Sequence, residues 1–166
     1  MKQPCKFFTD TFSWTSESKT DEKFTVIKNN VRLSIITPRL LRVEIDKKGQ
    51  FCDEPTQTVI NRNFDTPEFK IVEDGDIVIV ITTKTIFKYD TKTHKMIGIS
   101  LKNGKNLTEY KSGNLKGTYR TLDMANGAIE IGDGLMSANG VAVIDDTKSL
   151  IPVSYTHLTL PTMAVV

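Results

Sequence analysis

Apolar and polar residues alternate with a period of two along most of the first hundred residues. The stretch 39–46 (RLLRVEID) sets Leu41, Val43 and Ile45 against Arg42, Glu44 and Asp46. Successive side chains of a strand point to opposite faces, so one face is expected to be buried and the other wet, which makes a one-sided sheet. Similar short runs, rich in branched and aromatic residues, occur at 24–28 (FTVIK), 31–36 (VRLSII), 58–61, 69–73, 76–83 (DIVIVITT), 85–90 (TIFKYD) and 97–101. Asn29-Asn30, Thr37-Pro38 and Asp74-Gly75 separate them with residues that favour tight turns. The most apolar run, DIVIVITT, belongs near the centre of a sheet. No window of a dozen residues shows the i, i+3, i+4, i+7 spacing of an amphipathic helix. The pattern therefore predicts an all-β chain, an antiparallel β-sandwich in preference to a barrel.

From residue 102 to 140 the texture changes, with Gly and Asn clustered at Asn103-Gly104, Gly113-Asn114, Gly117, Asn126-Gly127, Gly132, Gly134 and Asn139-Gly140. Turn-rich loops and hairpins are expected there, and loops on a rigid sandwich commonly carry function. Short final strands are expected at 141–144 and 149–151. The organisation expected is an N-terminal extension (1–23), a β-sandwich domain (24–151) and a non-native tail (152–166). That tail, PVSYTHLTLPTMAVV, contains none of the chain's 22 Lys+Arg and 20 Asp+Glu. At a typical charged fraction of about 25%, such a run has odds of roughly one in a hundred. It also resembles a read-through peptide, SYTHLTLPT, that recurs at the ends of fragmentary environmental gene models. The alternative is a genuine terminal strand.

Length and charge narrow the classes of function. A (β/α)₈ barrel needs about 250 residues, more than the 166 present. The net charge is +2, with basic residues scattered among acidic ones, so no nucleic-acid partner is expected. The first residues lack the unbroken apolar run of a secretory leader, and no 18 consecutive residues are apolar; a cytoplasmic chain with no membrane partner is expected. Cys5 and Cys52 have neither CxxC spacing nor clustered histidines, so they read as free thiols, and no metal or other cofactor is expected.

Candidate chemistry is sparse. His94 lies in a polar turn and His157 in the uncharged tail, so no histidine acid and glutamate base converge on one face. No nucleophile elbow or phosphate-cradling glycine motif is present. Asp145-Asp146 looks like a carboxylate pair, but strand neighbours point to opposite faces; the preferred reading is that Asp146 opens the turn DDTKS with an Asx-type bond. Asn106-Leu107-Thr108 fits a glycosylation acceptor by chance. In NLKGTYRTLD (114–123), Gly117 allows a close turn, and Arg120 and Asp123 stand three residues apart near Tyr119. Such a loop can hydrogen-bond sugar hydroxyls and cover a sugar face; the competing reading is a salt bridge that pins the loop.

RLSIITPRLLRVEID (32–46), FCDEPTQTVINRNF (51–64), NLKGTYRTLD, GDGLMS (132–137) and GVAVIDDTKSL (140–150) together resemble the N-terminal sandwich of glycoside hydrolase family 31, the α-glucosidase and α-xylosidase family. The resemblance covers about residues 24–151. It implies a galactose-mutarotase-like β-sandwich packed against a following (β/α)₈ barrel. In that family the barrel supplies the two aspartates of a retaining mechanism, so no catalytic residue is expected within this chain. An α-linked carbohydrate and the barrel are the implied partners, with Arg120 and Asp123 as the substrate-binding positions. One departure is ANGV at 138–141, where the family more often carries an Arg-Asp-Gly-Trp-like run. The alternative function is a free-standing carbohydrate-binding β-sandwich module.

Overall fold

A computed structural model describes residues 5–9, 12–64, 68–107, 115, 126–128, 132–152, 158–159 and 164–165. Among these the chain is all-β. In chain order the strands are β1 (Cys5–Thr9), β2 (Phe12–Ser16), β3 (Thr25–Lys28), β4 (Val31–Thr37), β5 (Leu40–Ile45), β6 (Phe69–Asp74), β7 (Ile77–Thr82), β8 (Thr85–Asp90), β9 (Lys95–Leu101), β10 (Ile151–Pro152), β11 (Leu158–Thr159) and β12 (Ala164–Val165). A short 3-10 turn, Glu22–Phe24, precedes β3. Two antiparallel sheets dominate, with orders β12-β5-β4-β3 and β6-β7-β8-β9. Each is built from consecutive strands, except that the two-residue β12 joins the edge of β5 through Ala164↔Glu44 and Val165↔Val43. β1 pairs with β2, and β10 with β11. No helix among the described residues is long and apolar enough to cross a membrane.

The period-two alternation explains how the two sheets meet. Register pairs Leu33 with Val43 and Ile35 with Leu41, so these residues and Val31 line one face of the first sheet. Val78 and Val80 of β7 and Phe87 and Tyr89 of β8 face them from the second sheet, and the nine side chains form the buried core. Interdigitated inner faces are what hold a sandwich together. DIVIVITT supplies β7, an interior strand, as its apolar content predicts.

Turn-to-turn polar contacts tie the sheets at both ends. At one end Thr82 Oγ1 donates to the Pro38 carbonyl at 2.6 Å and accepts from the Thr85 backbone N–H at 2.9 Å. At the other end Asn29 Nδ2 donates to Thr91 Oγ1 at 2.9 Å, and His94 Nε2 lies 3.0 Å from Asn30 Oδ1. Asn29 and His94 adopt left-handed φ values of 54° and 55°, which Asn and His tolerate better than branched residues do. Lys28 and Glu73 add an ion pair of 2.5 Å beside them.

Three expectations are corrected. Residues 58–61 form no strand; they belong to a loop in which Thr56 N donates to the Val59 carbonyl and Val59 N to Thr56 Oγ1. Residues 141–144 are one arm of an irregular hairpin whose only bridge among the described residues is Met136↔Ala142. The first sheet is also not one-sided: Ser34, Arg42 and Glu44 point away from the core and are nevertheless buried. The alternation identified their face correctly, but period-two spacing carries no information about what lies over that face. The alternation also does not announce β1 and β2, which fall within residues 1–23.

Candidate functional site

The outer face of β4 and β5 presents Arg32, Ser34, Arg42 and Glu44, and two chain segments cover it. The first is the loop at 51–63. Its Asp53 carboxylate meets Arg32 Nη1 at 2.6 Å, and the Phe51 ring stacks on the same guanidinium with 4.9 Å between its carbon and the ring centroid. The second is the segment 144–150, anchored by Gln57 N donating to the Leu150 carbonyl at 2.8 Å. Between these layers lies a chain of charges. Arg32 Nε donates to Glu44 Oε2 at 2.7 Å, Arg42 Nε lies 3.6 Å from Glu44 Oε1, and Arg42 Nη1 donates to Asp146 Oδ2 at 2.9 Å. Thr56 Oγ1 donates to Asp146 Oδ1 at 2.8 Å. Arg62 spans the covering loop, donating from its two Nη atoms to the carbonyls of Cys52 and Glu54, each at 2.7 Å.

Arg42, Glu44, Arg62 and Asp146 are 2% exposed or less. Three guanidinium groups therefore stand against three carboxylates, Glu44, Asp53 and Asp146. A buried charge is tolerated only where partners replace its water; Arg32 and Arg42 meet carboxylates, Arg62 meets backbone carbonyls, and the buried Nε atoms of Arg42 and Arg62 are left without a hydrogen-bond partner. Burial, reinforced by neighbouring Arg42, pushes the Arg62 guanidinium down to about 10. Burial opposes charge on Asp53, but the hydrogen bond and charge of Arg32, together with Lys19, outweigh it and hold the carboxyl below its usual range. Every carboxylate of the chain of charges is engaged by a guanidinium or hydroxyl, so the assembly ties the covering segments to the sheet.

A second feature opens at the β5 and β9 edges. A groove of about 580 Å³ is lined by Leu41 and Val43, by Phe87 and Tyr89, by Met96, Ile99 and Leu101 of β9, and by residues 140–143. Arg39, His94 and Lys95 stand among its lining residues. Burial, with the adjacent Asp90 charge, pushes the Tyr89 phenol up to about 12, so it stays neutral at ordinary pH. This mainly aliphatic lining suits an apolar chain; a sugar site needs more convergent polar groups.

The sequence-based candidates fare unevenly. Arg120 and Asp123, with Gly117 and Tyr119, lie outside the described residues, as do His157 and Thr108. Asp145 and Asp146 do diverge, but their roles are the reverse of the expectation. Exposed Asp145 makes the Asx-type bond, accepting from Thr147 N at 2.9 Å and from the Thr147 hydroxyl. That turn lowers its carboxyl below the usual range through the Thr147 side-chain and backbone hydrogen bonds. Asp146 is sealed inside against Arg42. His94 is exposed, as its polar turn predicts, and additionally bonds Asn30 across the sheets. Cys52 is a free thiol. No group of three or more His, Cys, Asp or Glu able to hold a metal occurs among the described residues. The buried Arg42–Asp146 pair escaped sequence reasoning; its only signal was that both residues fall in segments quoted for one resemblance.

No known protein-family profile matches the chain, and no curated protein matches it. Among solved structures it is similar to a GH31 alpha-xylosidase from Xanthomonas citri, at 27% identity and a TM-score of 0.39, over 50% of this chain. The match spans 9% of that enzyme.

Proposed function

We propose that the chain is an N-terminal accessory β-sandwich, galactose-mutarotase-like in form, of a family 31 α-glycosidase. In this reading a following (β/α)₈ barrel hydrolyses α-linked glucosides or xylosides with retention, and the present chain catalyses nothing alone. One observation carries it. The polar residues of three segments that bear the family resemblance, Arg32, Arg42 and Glu44 from the first, Asp53, Thr56 and Arg62 from the second, and Asp146 from the last, meet in one buried assembly. A signature spread over more than a hundred residues that converges on one interior network behaves as the framework of a particular sandwich, since unrelated surface motifs have no reason to interlock. The same network gives these residues a scaffolding role, which agrees with catalysis residing in another domain. Arg120 and Asp123 are proposed to reach an α-linked sugar from the loop that carries them.

The test extends the reading frame at its source and assays both forms with aryl α-glucoside and aryl α-xyloside. The reading expects an open frame leading into a barrel with two aspartates, hydrolysis by the long form and none by the 166-residue chain. A natural stop close after Ile151, or turnover by the short chain, overturns it.

A further inference from the structure

We propose that the outer face of the second sheet is a self-association surface, on which a second copy of the chain packs sheet to sheet about a two-fold axis parallel to the strands. The inference goes beyond the proposed function and does not rest on it. Its first ground is the unequal covering of the two sheets. The outer face of the first lies under residues 51–63 and 144–150, and its Ser34, Arg42 and Glu44 are no more than 2% exposed. On the second sheet Val78, Val80, Phe87 and Tyr89 point into the core, so the alternation turns Ile77, Ile79, Ile81 and Ile86 outward. All four isoleucines keep part of their surface in solvent, and Val72, paired with Ile79, is 36% exposed. A contiguous aliphatic patch of this kind marks an interaction site, and a pleated face is matched by another pleated face.

The second ground is charge, which identifies the occupant. The rim of this face is polarised from edge to edge. Glu68, just before β6, and Asp74, at its end, are exposed on one side; Lys95, at the start of β9, and Lys102, just after it, are exposed on the other. Register sets Asp74 and Lys95 in one row, through Ile77 and Asp90. Glu68 and Lys102 lie beyond the Phe69↔Thr82 and Thr85↔Leu101 pairs at the opposite end. A two-fold axis between β7 and β8 lays β6 on β9 of the second copy. Each acidic corner then meets a basic one, twice over by symmetry.

The same operation fits the shapes of the two faces. Ile81 meets Ile86, and Val72 sits over Gly98, a position with no side chain. Lys88 runs its stem along Gly98 of its own sheet and reaches over Ile79 of the second copy. Asp90, the remaining acid of the face, is held in its own turn, accepting from Lys92 N and Thr93 N. A partner of uniform charge would leave one side of the rim unpaired, whereas a second copy pairs both.

The experiment is sedimentation equilibrium of the 166-residue chain from micromolar to millimolar concentration. The mass is expected to climb from 18.6 kDa toward twice that value. Ile79→Lys, at the centre of the face, is expected to leave a monomer throughout. Asp74→Lys and Lys95→Asp are each expected to weaken association about tenfold, and the two together to recover most of the loss. Within one chain these positions are three strand spacings apart, about 14 Å, so recovery reports a contact between copies. Glu68→Lys with Lys102→Glu gives the same readout at the other end of the face. Circular dichroism checks that every variant keeps its fold. A monomer at millimolar concentration, a dimer indifferent to Ile79→Lys, or a loss that both charge swaps fail to recover would each overturn the proposal. A monomeric short chain together with a lowered unfolding midpoint for Ile79→Lys in the barrel-containing form would also overturn it, assigning the face to the barrel.

Discussion

Arg42 Nη1 lies 2.9 Å from Asp146 Oδ2 across 104 residues of chain, and the two side chains are 1% and 0% exposed. Removing one partner of a buried ion pair leaves a charge stripped of both water and counter-charge, which typically costs about 3–5 kcal/mol. Asp146→Asn is therefore expected to lower unfolding free energy by about that amount in urea titration. The double variant Arg42→Met with Asp146→Leu should lie closer to the parent, because it removes both charges. A single variant that unfolds at the parental urea midpoint would show that the pair contributes nothing net.

Asp53 gives the outer layer a pH dependence of definite sign. Its folded carboxyl titrates below the ordinary aspartate range, held down by Arg32 and Lys19 against the effect of burial. A carboxyl with a depressed folded pKa contributes stability that is fully present above the unfolded value and is lost as pH falls through the folded one. The urea midpoint is thus expected to fall on acidification below about pH 4, and Asp53→Asn should flatten that part of the profile. An unchanged slope in the variant would place the acid sensitivity at another carboxylate.

Asn29 combines a left-handed backbone with a side-chain bond to Thr91, and two substitutions separate these roles. Asn29→Gly keeps the conformation and loses the bond, a cost of about 1 kcal/mol. Asn29→Ala loses the bond and forces a Cβ into the left-handed region, which adds about 1–2 kcal/mol. Alanine should therefore destabilise more than glycine in thermal unfolding. Equal losses would mean that the backbone conformation relaxes.

For the proposed sugar contact, Asp123→Asn in the barrel-containing enzyme is expected to raise KM several-fold toward an aryl α-glucoside with little change in the unfolding midpoint. An unchanged KM with a lowered midpoint would assign Asp123 to loop pinning.

The core was legible because its rule is local. Leu41, Val43 and Ile45 alternate with polar neighbours, and Val78 and Val80 sit in an apolar run, so two faces can be read from spacing alone. The outer layer has no such rule. Arg42 and Glu44 look like wet residues when only their own strand is considered, and the loop that covers them has no periodicity. Thr56, Arg62 and Asp146 acquire meaning only when three segments meet. The turn at Asp145-Asp146 misled for a related reason. Either aspartate can open it, and the choice is decided by a guanidinium that approaches from a strand 104 residues away. Arg120 and Asp123 gain nothing from the described structure, so their assignment still rests on resemblance.

The length of chain between Arg42 and Asp146 also sets an order of events during synthesis. At about 5–20 residues per second, Arg42 leaves the ribosome roughly 5–20 s before Asp146 does. The hairpins from β3 to β9 close over short distances in the chain and can pair within that interval. Arg42, meanwhile, has Glu44 beside it but not Asp146, so its Nη1 keeps its water until the later segment is made. The sandwich therefore acquires its apolar centre while the chain is still growing, and its charged outer layer is sealed only after the second of the two covering segments arrives.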